Sequence, residues 1–399
     1  MRTFLFLVFL IISIVVQAQD RCVTAGYLAA KRSAGSSEAK TMADAEQFPA
    51  KNSLQRQVND DVVIRIPVVV HVLYNNAAQN VSDAQVQSGI DALNRDFRRK
   101  AADTVNTPLR FREIAADVQI EFSLATTDPF GRASSGIVRK LCTRTAWMAD
   151  DKMKFSSQGG DNAWDSRSYL NIWLVELAGG SGYASVPGSS PATDGVVINH
   201  NAFGTINTTA PFNLGRTAVH EVGHWLGLKH IWGDAECGDD GVDDTPRQGF
   251  FTKGCPSGFR SSCNNGTLGD MYMNFMDYTD DACMNLFTAG QRSRMRQLFV
   301  VEGPRASLLL SRGLGSPWLQ EAPLPVGDAV LYPNPAQEKV TVQVGAAFVG
   351  KKLRLYNSQG QLQREETVTS VHQTIPVANL KPGIYFLRGE DFLQKFIKL

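Results

Sequence analysis

Hydrophobic and polar positions change their rhythm several times along the chain. Residues 4–16 form one apolar run behind Arg2, and Val16-Gln17-Ala18 ends it on small residues. That pattern predicts a secretory signal peptide over residues 1–18, too short to leave a transmembrane anchor in the mature chain. Residues 19–57 are rich in Ala, Ser, Lys and Gln with no sustained apolar period, and are expected to form a removable propeptide, with Arg56 as a clipping site. From Val62 to Tyr74 the chain is almost continuously apolar, as a strand buried on both faces is; His71 within it reads as a satisfied core histidine. Ser82 and Gln85 have capping-box spacing ahead of Val86, Ile90, Leu93 and Phe97, which predicts an amphipathic helix to about Arg99. Further strands are expected at Val118 to Leu124, Tyr169 to Leu177 and Gly195 to Asn199. Asn213 is the expected cap of a helix from Leu214 to Leu226, and Thr288 with Gln291 that of a helix to about Val300.

Past a Pro- and Gly-containing linker, residues 313–329, the rhythm turns to short alternating runs at Lys339 to Val344, Lys352 to Asn357, Ile384 to Arg388 and Phe392 to Leu399. These predict a small all-β sandwich over residues 330–399. The stretch between propeptide and linker, residues 58–312, mixes strands and helices and is expected to be one α/β (α+β) domain. At 399 residues and 43% hydrophobic, the chain is globular and more than one unit long. A net charge of +1 gives no footprint for nucleic acid.

The candidate chemistry sits in His220-Glu221-Val222-Gly223-His224-Trp225-Leu226-Gly227-Leu228-Lys229-His230, which holds three of the six histidines. His220 and His224, four apart on a helix, can place two ring nitrogens on one ion. Gly227 accepts the positive φ that ends a helix sharply and lets His230 return as third ligand. Three protein ligands leave a fourth position for water, the mark of a catalytic zinc site, and Glu221 beside the first ligand reads as general base. The rim at Gly179 to Pro187, with Gly182, Tyr183 and Ala184 at its centre, suggests an open edge to which an extended peptide can add as a strand; a plain surface loop is the alternative. Asp239, Asp240, Asp243, Asp244 and Thr245 crowd one loop, which suits calcium, with an acidic solvated loop as the alternative. Cys237, Cys255, Cys263 and Cys283 allow three pairings that sequence alone leaves open.

The extended zinc motif and the later Met273-Asn274-Phe275-Met276-Asp277-Tyr278 resemble the metzincin peptidases. Together with Tyr169-Leu170-Asn171-Ile172-Trp173, Ala192 to Val197 and Gly238 to Pro246, they are similar to the pappalysin family within that group. The resemblance implies a twisted mixed sheet with an active-site helix, and Met276 as an apolar floor under the zinc. It implies Tyr278 as a stabiliser of the oxyanion, and disulfides Cys237–Cys263 and Cys255–Cys283. It also implies that the lone Cys22 latches the metal in a zymogen, an incidental thiol being the alternative. A carboxylate at Asp280 or Asp281 would then draw Arg or Lys of a substrate to the cut. Tyr332-Pro333-Asn334-Pro335, Gly383-Ile384-Tyr385-Phe386 and the basic last strand resemble a type IX secretion sorting domain, which implies outer-membrane translocation by that machinery. The expected protein is a secreted or surface zinc endopeptidase acting on proteins or peptides. An exported zinc hydrolase of non-peptide bonds and an adhesin with an inert metal site remain the alternatives.

Overall fold

The structure, a computed structural model, describes residues 21–33, 37–51, 62–316, 329–345, 348–390 and 392–399. The expected signal peptide, Arg56 and most of the expected linker lie outside them. Two compact units divide at Pro317–Trp318.

In the first unit, helices α1 (Thr24–Ser33) and α2 (Ser37–Lys51) lead the chain. Composition alone gave them no period, and helices this short are marginal without packing. Docking supplies it: Tyr27, Met42 and Ala45 are buried. Strand β1 (Ile64–Tyr74) is buried at every position from Ile66 to Leu73. Helix α3 (Asp83–Phe97) follows, with Ser82 accepting from the Gln85 amide. The expected box is only half made, because the Gln85 side chain donates instead to the carbonyls of His200 and Phe203. A short α4 (Leu109–Arg112) leads to β2 (Ile120–Leu124), β3 (Ile137–Leu141), β4 (Leu170–Val175), β5 (Gly182–Ala184) and β6 (Val196–Asn199), then to α5 (Arg216–Trp225) and α6 (Ala289–Gln297). β3 was not foreseen, since its Arg139 and Lys140 break the apolar pattern.

The sheet order is β2-β1-β4-β6-β5, with β3 also paired to β1. All pairs are parallel except β5 with β6, so β5 is an antiparallel edge. One face packs Val68, Val70, Ile172 and Ile198 against Val86, Ile90, Val219 and Val222 of α3 and α5. The other face carries Leu73, Trp173, Tyr183 and Val197, with Tyr27 of α1 laid over them. His71 bonds Asp161 at 2.7 Å and Asn171 at 3.1 Å, a satisfied interior histidine. Asp194 ties the end of α5 to the sheet, accepting from Trp225 Nε1, Ser185 Oγ and the Arg305 guanidinium.

Helix α5 starts later than expected and without Asn213. Gly215 precedes it at φ +77°, and the Asp281 carboxylate accepts from the amides of Leu214 and Arg216 at 2.8 and 3.2 Å. The cap is therefore supplied from more than sixty residues downstream, which no local reading finds. For α6 the local box is complete: Thr288 and Gln291 exchange both bonds.

The second unit consists of β7 (Ala329–Tyr332), β8 (Lys339–Val344), β9 (Lys352–Asn357), β10 (Leu362–Thr367), β11 (His372–Pro376), β12 (Gly383–Arg388) and β13 (Leu393–Lys398). They form two antiparallel sheets, β10-β9-β12-β13 and β11-β8-β7. Val340, Val342, Leu353, Leu355, Leu387 and Phe396 fill the core. Alternation along β9, β12 and β13, one side inward and one outward, suits this architecture.

Candidate active site

The sequence of α5 puts His220 and His224 one turn apart, and the chain leaves the helix where Gly227 takes φ +82°. Gly227 N bonds the His224 carbonyl and Leu228 N that of Gly223, closing the helix and sending the chain back. His230 Nε2 then lies 3.1 Å from His224 Nε2, which lies 3.1 Å from His220 Nε2. The far nitrogens are all engaged: His220 Nδ1 with the Phe275 carbonyl, His224 Nδ1 with that of Leu228, and His230 Nδ1 with Asp234. Protons held at Nδ1 turn three Nε2 lone pairs onto one point, an arrangement that repels itself without a cation. Burial and the neighbouring rings lower His220 well below its usual range and His224 to about 3, so both are neutral, the ligand form. Nε2 separations of 3.1 Å suit tetrahedral zinc at about 2.0–2.1 Å per nitrogen. The donor set fits that ion.

Met276 lies beneath, fully buried against Gly223, as the expected position of the methionine requires. Glu221 is fully buried; burial pushes its carboxyl up to about 8 against opposing bonds from Cys22 and Thr24. A Cβ on Gly182 would fall 2.9 Å from Glu221 Oε1, so glycine at the edge strand makes room for this carboxylate.

The N-terminal segment fills the cleft. Cys22 joins the three histidines in the one group of three or more His, Cys, Asp or Glu ligand atoms found among the described residues, all within 4.8 Å of one another. Its thiol lies 3.6 Å from Glu221 Oε2, and Thr24 Oγ1 donates to the same oxygen at 3.0 Å. Val23 N bonds the Gly182 carbonyl and Ala184 N the Thr24 hydroxyl, so Gly182 and Ala184 pair with an incoming chain, and β5 is an edge strand rather than a plain loop. The Tyr278 hydroxyl donates to the Cys22 carbonyl at 2.9 Å. Arg21, 1% exposed in its side chain, donates to Asp281 Oδ1 at 2.8 Å and to the Thr279 carbonyl at 2.7 Å. Asp281 is thus in the cleft, whereas Asp280 is half-buried and its amide turns to Gly254. Sequence reasoning missed Arg21 and Thr24; their position either side of Cys22 was the signal available.

The acidic loop does not gather its carboxylates. Asp239 takes Arg247 and the Gly241 amide, Asp240 takes Thr245 and the Val242 amide, and Asp244 caps α6 through Thr288 and Gly290. Asp243 is exposed. Disulfides join Cys237 to Cys263 and Cys255 to Cys283 around this region.

The family described as Pregnancy-associated plasma protein-A matches residues 154–300, the stretch holding the three histidines, Glu221 and Met276. An extracellular metalloprotease of Pyricularia oryzae is 34% identical over 59% of this chain and 75% of its own length. The chain belongs to the pappalysin family of metalloproteases. Mature mirolysin of Tannerella forsythia with a cleaved peptide is 50% identical over 63% of this pappalysin and 97% of that chain, at a TM-score of 0.61. A promirolysin mutant of the same organism is 45% identical over 72% and 97%, at 0.66. Residues 330–398 match the secretion system C-terminal sorting domain. The pappalysin is therefore a secreted peptidase of the metzincin fold that hydrolyses peptide bonds with a catalytic zinc and carries a type IX sorting tail. The inert adhesin and the non-peptide hydrolase fall away with that membership. No helix among the described residues is long and apolar enough to cross a membrane.

Proposed function

We propose that this zinc endopeptidase cuts beside Arg or Lys, with Asp281 as the acidic group that selects them, and that residues 19–57 are the propeptide holding it latent. Arg21 carries the reading: the segment that fills the cleft puts a guanidinium on Asp281, with Phe212 beneath it at 4.7 Å. A substrate arginine placed there meets the same carboxylate and the same carbonyl of Thr279.

His220, His224 and His230 hold the zinc in this proposal. When bound, zinc polarises the scissile carbonyl and lowers the pKa of water. Glu221, buried beside the three histidines, takes the proton from the attacking water and returns it to the leaving amine; a cation held there would draw its carboxyl down from the raised value that burial imposes. Tyr278, whose hydroxyl already reaches a backbone carbonyl in the cleft, donates to the developing oxyanion. Gly182 and Ala184 align the substrate backbone along β5. Cys22 takes the fourth ligand position until the segment is clipped; a cation there would draw its thiol down from the raised value that burial and Glu221 impose.

The loop around Asp240 and Thr245 is proposed to bind calcium, with Asp239 and Asp244 held elsewhere by Arg247 and by the start of α6. Its support is Asp240, pushed up to about 6 by burial, a cost that a cation removes. Calcium-selective chelation with zinc present should lower Tm, and an unchanged Tm sinks that part.

Glu221→Ala should retain zinc stoichiometrically while losing hydrolysis of an Arg-containing peptide. Retained turnover would remove Glu221 as the base, and equal cutting of Arg and Leu peptides would remove Asp281 as selector.

A further inference from the structure

On the sheet face opposite α5, a second carboxylate is served by the N-terminal segment. Asp151 is 5% exposed in its side chain, and its two oxygens divide their partners cleanly. Oδ1 is filled from within the catalytic unit, by Lys154 Nζ at 2.9 Å and the Tyr183 hydroxyl at 3.1 Å. Oδ2 takes only groups from α1, the Tyr27 hydroxyl at 2.8 Å and the Lys31 ammonium at 2.9 Å. The Tyr27 ring lies 4.7 Å from that of Tyr183, over the edge strand. Asp151 also holds φ +64°, the left-handed region, as residues kept for a site often do.

When the segment leaves, Oδ1 keeps its partners and Oδ2 loses both. What remains is an acceptor beneath an aromatic wall, beside the strand along which substrate is proposed to run. Side chains of an added strand alternate between faces, so a residue set opposite Tyr183 projects toward Asp151. The segment passes from Arg21 at Asp281, through Cys22 at the histidines, to Tyr27 at Asp151. Asp281 and Asp151 are thus met by residues on opposite sides of Cys22 along the segment.

We propose that Asp151, walled by Tyr183, is a second specificity subsite of the processed enzyme, one that takes the terminal O–H or N–H of a long substrate side chain, tyrosine or lysine. The inference rests on the reading of β5 as the substrate edge. It makes the enzyme a reader of two substrate positions, a basic one at Asp281 and a long hydrogen-bond donor at Asp151. Tyr27 and Lys31 then act as placeholders on the second position, as Arg21 does on the first.

Processed enzyme and quenched peptides test it. Arg stays fixed at the cut, and each other position is varied in the pairs Tyr against Phe and Lys against Met. One hydrogen bond to a charged acceptor is worth about tenfold or more. At one position Tyr should therefore exceed Phe, and Lys exceed Met, by about that factor in kcat/KM, with Asp151→Asn erasing both ratios and leaving the Arg-over-Leu ratio at the cut. Because Asp151→Asn breaks a buried pair with Lys154 and can fail to fold, the wild-type ratios decide alone. Ratios near one at every position overturn the proposal. Loss of the Arg-over-Leu ratio with the Tyr and Lys effects intact would instead overturn the role of Asp281.

Discussion

Met276 Sδ stands 2.5 Å from the point that a Cβ on Gly223 would occupy. Helix and floor touch here with no room between them, one residue before His224. Gly223→Ala forces the buried thioether to move, an overpacking cost of about 1–3 kcal/mol. The variant should show a lower Tm and weaker zinc retention, since the floor supports both first ligands. Unchanged Tm and zinc content would mean that Met276 moves aside freely and supports nothing.

Cys22 and Thr24 both reach Glu221 Oε2, so the N-terminal segment engages the proposed base as well as the histidine cluster. Cys22→Ala keeps the Thr24 bond and removes only the sulfur. Full-length, unclipped Cys22→Ala should cut a quenched peptide about tenfold faster or more than the unclipped wild type, the factor that each ~1.4 kcal/mol of lost latch contact gives. Equal latency would assign the block to steric filling of the cleft alone.

What the sequence disclosed, and what it hid, separates along the range of the interactions. The convergence of His220, His224 and His230 was legible because it rests on one helical turn and one glycine, both local. The α6 box at Thr288 and Gln291 was legible for the same reason. The cap of α5 was not, because Asp281 reaches Leu214 and Arg216 across the fold while Asn213 offered a nearer false answer. Nor was the course of residues 21–51, whose helices are set by docking against the cleft and against Tyr183 rather than by their own period. Asp151 was hidden most deeply, since its partners come from three separate stretches of chain.

Asp281 has two tasks in this structure, capping α5 and holding Arg21, and the two can be separated. Asp281→Asn keeps an oxygen for the amides of Leu214 and Arg216 but removes the charge. Its kcat/KM on an Arg peptide should fall about tenfold to a hundredfold, with a much smaller change on a Leu peptide. Asp281→Ala should also lose the cap, at about 1–2 kcal/mol of stability. If Asp281→Asn cuts Arg peptides as well as wild type does, basic residues are chosen elsewhere.

Asp277, fully buried between Met276 and Tyr278, sets a pH dependence of stability. Burial pushes its carboxyl up to about 7, against bonds from the Thr252 amide, the Gln248 side chain and the Tyr278 amide, each 2.7 Å. The unfolded chain releases that proton near pH ~4. Between about pH 4 and 7 the folded chain thus binds more proton at this site than the unfolded one. Its contribution therefore falls as pH rises through that window, and levels off above it. Asp277→Asn removes the titration, so the wild-type loss of denaturation midpoint between pH 5 and pH 8 should shrink in the variant. Other carboxyls titrate equally in both proteins and cancel in the comparison. A pH profile for Asp277→Asn parallel to the wild type would show that Asp277 is ionised throughout, held by its three donors despite its burial.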